Sequence, residues 1–230
     1  QTYTDFEYLI IDDASPDQDI RKFVESYKDS RIKFIRNDTN LGVSKSFNKA
    51  LTLIKTPYIV RLDQDDVNLP KRVEEQISYL ENNKNVSIVC SWEHTINSKG
   101  VITRDWKRKI HNYGDFIGPI FLGLCPIWHP SIAFRKDDII NAGGFDSEFT
   151  RAEDFEVTAR LALHRLEASI LQKFHLLQRH HDNSQSKVFI SEQAFMTHLI
   201  QKQSIAHFID PIKAEELAYF LKFQQNPGQE

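Results

Sequence analysis

The sequence predicts an α/β fold: a mostly parallel sheet flanked by helices, with further helices at the C-terminal end. Three observations predict it. Short β-rich runs alternate with stretches of helical spacing over residues 6–92. The 230-residue length suits one good core with a small appended subdomain. One apolar run stops abruptly at three carboxylates, and strand ends are where open α/β sheets bind ligands.

Taken in order, Phe6 to Ile11 reads as a strand that ends at Asp12-Asp13-Ala14-Ser15. Ile20, Phe23, Val24 and Tyr27 have helical spacing, and Ile32 to Ile35 is a second strand. The loop from Asn37 to Gly42 opens a helix marked by Phe47, Ala50, Leu51 and Ile54. Tyr58 to Leu62, broken by Arg61, reads as a buried strand running into Asp63-Gln64-Asp65-Asp66. A helix follows, with Asn68 as its cap, Pro70 in its first turn and Val73, Ile77 and Leu80 on one face. Val86 to Trp92 is the next strand. Such a rhythm argues for largely parallel strands covered on both faces.

Beyond Trp92 the rhythm changes. Residues 93–106 read as a hairpin turning at Asn97-Ser98-Lys99-Gly100, and Lys107-Arg108-Lys109 as a solvated basic turn. The apolar stretch from Phe116 to Ile127 reads as core, with an acceptor groove as the alternative. Trp128 to Arg135 reads as a strand, Asn141 to Asp146 as a glycine turn, and Arg151-Ala152-Glu153-Asp154 opens a helix. Ala168 to Phe174 is a further strand, followed by a polar loop from Gln178 to Ser186. Two helices, near 188–208 and 211–224, close the chain.

Composition narrows the function. With a net charge of −3 the chain has no basic excess for nucleic acid. Cys90 and Cys125 make no disulfide framework or metal-ligand spacing and read as buried thiols of a reducing compartment. No apolar run approaches the ~20 residues of a membrane span, and the first residues carry no signal-peptide pattern. The expectation is a cytoplasmic domain. Its terminal helices, carrying Phe195, Met196, Leu199, Phe208, Leu217, Phe220, Leu221 and Phe223, offer a surface for peripheral docking on the inner membrane face or for a homodimer; a cover for the core is the alternative.

Asp63, Asp65 and Asp66 repel one another unless a positive charge sits among them. A hard divalent cation, Mg²⁺ or Mn²⁺, satisfies them and leaves places for substrate phosphates. A solvated acidic turn is the simpler alternative.

The ordered set of motifs goes further than any one of them. Asp12-Asp13-Ala14-Ser15, Asn40-x-Gly42, Leu62-Asp63-Gln64-Asp65-Asp66 with Pro70, His129-Pro130-Ser131, Gly143-Gly144-Phe145-Asp146, Glu153-Asp154 and His181-x-Asn183-Ser184-x-Ser186 follow one another. Over about residues 3–186 this resembles the family 2 glycosyltransferases, bacterial polysaccharide-building enzymes of the Rossmann-like GT-A fold. The resemblance implies a transferase domain over residues 1–186 and a helical extension over residues 187–230.

It also implies roles. Asp12 and Asp13 would meet the nucleotide base and ribose, and a carboxylate that accepts the uracil imide N–H suits a UDP-linked donor. Asp63 and Asp65 match the DxD motif, with Asp65 the direct metal ligand; Asp66 supports the loop near the sugars. Gly42 and Lys45 would line the nucleotide diphosphate; with Phe47 where the family has arginine, one diphosphate contact is either lost or taken over by Lys45. Asp154 would be the general base, with Glu153 beside it, and His181 would reach the metal or diphosphate. His129 is either a residue near the sugars or a satisfied core histidine. The implied reaction is metal-dependent, inverting transfer of a single sugar to a hydroxyl of a surface-polysaccharide or lipid-linked glycan acceptor, since the motif of processive synthases is missing after Asp154. A catalytically degenerate nucleotide-sugar-binding or scaffold subunit is the alternative. The family begins with one more strand and helix, about 30 residues, so the chain is expected to be an N-terminally incomplete version of a longer protein.

Overall fold

The computed structural model describes residues 1–17, 19–180 and 189–225, with side chains up to Leu221. Strands β1 (Tyr8–Asp12) and β2 (Ile32–Arg36) pair in parallel as a two-stranded sheet, with the short helix α1 (Ile20–Glu25) as their crossover. Helix α2 (Val43–Leu53) leads into a six-stranded sheet. Its members are β3 (Tyr58–Val60), β4 (Val67–Asn68), β5 (Val86–Ile96), β6 (Ile102–Trp106), β7 (Ala133–Arg135) and β8 (Glu167–Arg179). The order is β3-β7-β5-β8-β4, with β6 also paired to β5. Around it lie α3 (Arg72–Asn82), α4 (Tyr113–Phe121), α5 (Lys136–Asn141), α6 (Glu153–Leu163), α7 (Ile190–Ala206) and α8 (Pro211–Gln225).

The class is α/β as expected, but the larger sheet is mixed rather than mostly parallel. Only β5–β8 is parallel in it; β3–β7, β5–β7, β5–β6 and β4–β8 are antiparallel. Strand–helix alternation reports which elements are neighbours, not the direction in which strands run. β6 returns through a hairpin at Asn97–Gly100, and a hairpin can only pair antiparallel strands.

Several boundaries also differ. Trp128 to Arg135 is not one strand: His129–Ser131 forms a single 3₁₀ turn before β7, held by Ile132 N–H on the His129 carbonyl. The apolar stretch after Asp115 lies partly in α4, whose Phe116 and Ile120 enter the core, so the core reading holds. Asn68 does not cap α3; it belongs to β4, and Lys71 precedes the helix without a side-chain cap. The helical spacing at Ile20 is real, yet α1 buries nothing, and Phe23 and Tyr27 meet edge to face on the surface. β8 runs to Arg179 rather than stopping at Phe174, because its polar end pairs with β5 and β4.

One core joins Leu51 of α2, Ile88 of β5, Ile120 of α4, Phe155 and Leu161 of α6 and Ile200 of α7. The terminal helices therefore pack on the main body, α7 through Ile200 and Gln201, whose amide donates to the Phe121 carbonyl. Cys90 and Cys125 are free thiols, and burial pushes both up to about 12. Among the described residues no helix is long and apolar enough to cross a membrane.

Candidate active site

The strand end at β3 is held open by buried arginines. Arg61 interrupts an apolar run and leaves only 11% of its side chain exposed, so its charge needs partners. Its Nε donates to Asp63 Oδ1 at 2.9 Å, and its guanidinium lies 5.0 Å over the Phe47 ring, which stacks on Phe145. Burial pulls the Arg61 pKa down, but the charges of Asp63, Asp154 and Glu153 outweigh it and hold the group above its ordinary value. Three acidic residues from two distant parts of the sequence thus converge on one cation.

A chain of hydrogen bonds runs from there to α6. Arg61 Nη1 is 3.2 Å from His129 Nδ1, and His129 Nε2 is 2.9 Å from Thr158 Oγ1. Thr158 Oγ1 donates to the Asp154 carbonyl at 2.8 Å. An arginine can only donate, so His129 Nδ1 must accept and Nε2 must carry the proton. Burial depresses His129 to about 4, which keeps the ring neutral, as this order of donors requires. His129 is therefore a satisfied core histidine whose position links both halves of the site.

Arg72, wholly buried, frames the same region from α3. It donates to Gln76 Oε1, to Asn68 Oδ1, and through Nη2 to the carbonyls of Arg61, Pro130 and Ile132. Burial lowers its pKa to about 10. Arg179, at the end of β8, clamps the carboxylate turn: its backbone N–H donates to Asp66 Oδ1 at 2.8 Å and its Nε to the Asp65 carbonyl at 3.1 Å. Burial first, then the charges of Asp63 and Asp65, push Asp66 up to about 6.

At the start of α6, Asp154 Oδ1 accepts from Phe155 N–H at 2.7 Å, and both Asp154 and Glu153 are half-buried. Burial and the neighbouring Asp154 raise the Glu153 carboxyl above its usual range. Asp63, Asp65 and Asp66 thus share one turn, and the Arg61–His129–Thr158 chain links it to Glu153 and Asp154 at the start of α6.

Asp12, Asp13, Gly42 and Lys45 form a second group at the junction of β1 and α2. Asp12 is buried, accepting from Arg36 at 2.6 Å and from Ser15 N–H at 2.9 Å. Asp13 accepts from Asn37 Nδ2 and from the backbone N–H groups of Leu41 and Gly42. These bonds lower both carboxyls against the opposing effect of burial. Gly42 has φ +80, a left-handed conformation that glycine takes without strain, and its carbonyl starts α2. Lys45 is exposed on the first turn of α2. Phe47, two residues on, connects this group to Arg61.

His181 lies outside the described residues. Among those described, no three His, Cys, Asp or Glu side chains converge as a preformed metal cage. A magnesium-type ion needs less, because one or two carboxylates beside substrate phosphates hold it. Asp63 and Asp65 on one turn, close enough to raise Asp66, fit that requirement.

Sequence reading passed over Arg72, Thr158 and Arg179. A lone arginine in an apolar run is a visible signal for Arg61, and Arg72-x-x-x-Gln76 puts two polar groups on one side of α3. Arg179 gave no signal, since its role depends on the length of β8.

Residues 1–142 match the family model for glycosyl transferase family 2. The chain belongs to that family. It is 31% identical over 192 residues to the uncharacterized glycosyltransferase MJ1057 of Methanocaldococcus jannaschii, covering 82% of this chain and 66% of that protein. It is 32% identical over 163 residues to the O-antigen biosynthesis glycosyltransferase WbnJ of Escherichia coli, covering 70% of this chain and 62% of that protein. The chain therefore spans just under two thirds of the length of these relatives. Among solved structures, residues 1–349 of TarS from S. aureus, in complex with UDP-GlcNAc, superpose with a TM-score of 0.70 at 18% identity, covering 96% of this chain and 64% of that one. That likeness establishes the GT-A architecture of the family for this chain.

Proposed function

We propose that this chain carries the reaction centre of a metal-dependent, inverting glycosyltransferase that moves one sugar from a UDP-type donor to a hydroxyl of a surface-polysaccharide or lipid-linked glycan acceptor. The observation that carries this reading is the hydrogen-bonded chain that joins Asp63 through Arg61, His129 and Thr158 to the first turn of α6, where Glu153 and Asp154 stand. It joins a strand-end carboxylate pair suited to a metal-bound diphosphate with a carboxylate suited to proton removal. The UDP-GlcNAc bound to TarS and the O-antigen role in the name of WbnJ support the donor and acceptor classes.

Asp63 and Asp65 would hold Mg²⁺ or Mn²⁺, with His181 as a third ligand. Bound there, the ion would supply charge stabilisation for a departing diphosphate. Arg61 aligns Asp63, and the His129–Thr158 chain fixes the first turn of α6, which sets the position of Asp154. Asp154 takes the acceptor hydroxyl's proton as that oxygen attacks the anomeric carbon. With one base and no carboxylate acting as nucleophile, the displacement inverts the anomeric centre. Asp12 and Asp13 already use some of their lone pairs on Arg36, Ser15, Asn37 and the Gly42 turn; each carboxylate still has capacity for one bond to a base or ribose.

The test is sugar transfer and donor hydrolysis with UDP-glucose, UDP-galactose and UDP-GlcNAc. Asp154→Asn is expected to lose roughly 10²- to 10⁴-fold in rate, the usual contribution of a general base, with UDP affinity unchanged. A fully active Asp154→Asn would refute the assignment. Donor binding without turnover in the unaltered chain would favour a degenerate binding subunit instead.

A further inference from the structure

Glu93 lies in the interior with 0% of its surface exposed, yet neither of its carboxyl oxygens has a hydrogen-bond partner among the described residues. The nearby Ser91 Oγ is likewise unpartnered. Buried polar atoms are nearly always satisfied, so three orphans on one short stretch of strand call for an explanation. Both side chains line one narrow cleft, walled by Cys90, Trp106, Arg108, Trp128 and Ile170. Its enclosed part is narrow and admits a single water-sized group such as a hydroxyl.

The backbone is shaped to make this cleft. Opposite Ser91, Trp92 and Glu93 the β5–β8 ladder slips: Ser91 pairs with Leu171, Trp92 with Phe174 and Glu93 with Leu176. Extra residues in a strand bend it and re-aim side chains. The wall is built as well. Trp106 and Trp128 stack at 4.7 Å, their indole N–H groups are held by Thr95 and Gln178, and Arg108 lies over Trp128 while donating to the Cys125 carbonyl. Arg72 does not fill the role of partner: its hydrogen bonds go to Asn68, Gln76 and three carbonyls, and none reaches Glu93.

The cleft adjoins the site. Glu93 feels the charges of Asp66 and Asp63, and Cys125, on the Arg108 side, feels that of Asp154. A hydroxyl complements such a place, because it donates to a carboxylate or serine oxygen and accepts from a protonated carboxyl or serine O–H. Aromatic walls with a few convergent polar groups are the usual make-up of a small-ligand pocket.

We propose that Glu93 and Ser91 form a hydroxyl-recognising subsite that binds a pyranose hydroxyl and so selects the sugar in this glycosyltransferase. The inference rests on the transferase reading and names a specificity determinant within it. The same chemistry fits a donor sugar or an acceptor sugar, and the arms of the test separate them.

The test compares unaltered protein with Glu93→Leu, Glu93→Gln and Ser91→Ala, each first checked for a cooperative melt. Calorimetry with UDP, UDP-glucose, UDP-galactose and UDP-GlcNAc in Mn²⁺ reads the donor arm. KM for the octyl glycosides of the same three sugars reads the acceptor arm. A donor subsite predicts that Glu93→Leu weakens a preferred UDP-hexose about tenfold while UDP is unchanged; an acceptor subsite predicts a similar rise in glycoside KM with donor binding unchanged. Glu93→Gln, which keeps a hydrogen-bonding tip, should recover part of the loss, and Ser91→Ala should show a smaller loss in the same arm, which serves alone if Glu93→Leu does not fold. Unchanged values in both arms, with sugars bound by the unaltered protein, overturn the subsite alone. An unaltered protein that ignores every UDP-hexose and every glycoside overturns the transferase reading and the subsite with it.

Discussion

Arg72 and Glu93 are both wholly buried and close enough for each to shift the other's titration, yet the fold treats them oppositely. Arg72 makes five hydrogen bonds to four different segments. Glu93 makes none among the described residues. The saturated group closes a frame, tying the end of β3, the 129–131 turn and α3 into a fixed shape. The unsaturated one sits at a strand irregularity beside a cleft, where a polar group left without a partner costs stability unless something binds it. Bonded completeness thus separates the part of the site that holds geometry from the part that meets a ligand.

The comparison breaks most visibly at the frame. Arg72→Met should deprive the carbonyls of Arg61 and Pro130 of their Arg72 donor and leave that of Ile132 with the Arg61 N–H alone, and a loss of roughly 3 to 5 kcal/mol is expected, as when one partner of a buried charged network is removed. A lowered urea midpoint checks it; an unchanged midpoint would mean the frame does not hold the site.

His129 sharpens the same side. Its folded pKa, about 4, is below the ordinary histidine value of 6.5, so its contribution to stability is complete above about pH 6.5 and lost as pH falls toward 4. That amounts to about 3 kcal/mol over the window. Melting temperatures of the unaltered chain and of His129→Phe, taken from pH 7 to pH 4, should diverge least at the acid end.

For Glu93 the sign reverses. Burial first, then the charge of Asp66, raise its pKa to about 9. Stability from the neutral form is present below about pH 4.5 and lost as pH rises toward 9. Glu93→Gln has no such loss, so it should be more stable than the unaltered chain by on the order of 2 kcal/mol at pH 6 and nearly equal at pH 4.5. Equal melting at both pH values would show that Glu93 is already satisfied. The smallest effect is expected at Thr158→Val, about 1 kcal/mol for one hydrogen-bonded hydroxyl, read in the same melts.

The frame was only partly legible in the sequence. Asp63, Asp65, Glu153 and Asp154 stood out because carboxylates at a strand end or helix start are conspicuous, and the fold brings them together. What joins them was not legible. The Arg61–His129–Thr158 chain spans 97 residues of sequence, and only the 3₁₀ turn at His129–Ser131 makes those contacts possible. A histidine beside a proline reads equally as strand core or as site. Arg179 looked like loop because Gln172, Lys173 and Gln178 dilute the β signal, while pairing with β5 on one side and β4 on the other keeps the strand extended. The strand directions were hidden for a related reason: periodicity shows which face of an element is buried, but not which way it runs. Glu93 was invisible at the start of the expected hairpin, since only the slipped ladder reveals where it points.

The most direct test of the central claim, that the β3 strand end is a metal-dependent donor site, is a calorimetric titration of the chain with UDP in the presence and absence of Mn²⁺. Binding should require Mn²⁺, disappear in Asp65→Ala and survive in Asp154→Asn. Binding that ignores Mn²⁺ and persists in Asp65→Ala would contradict it.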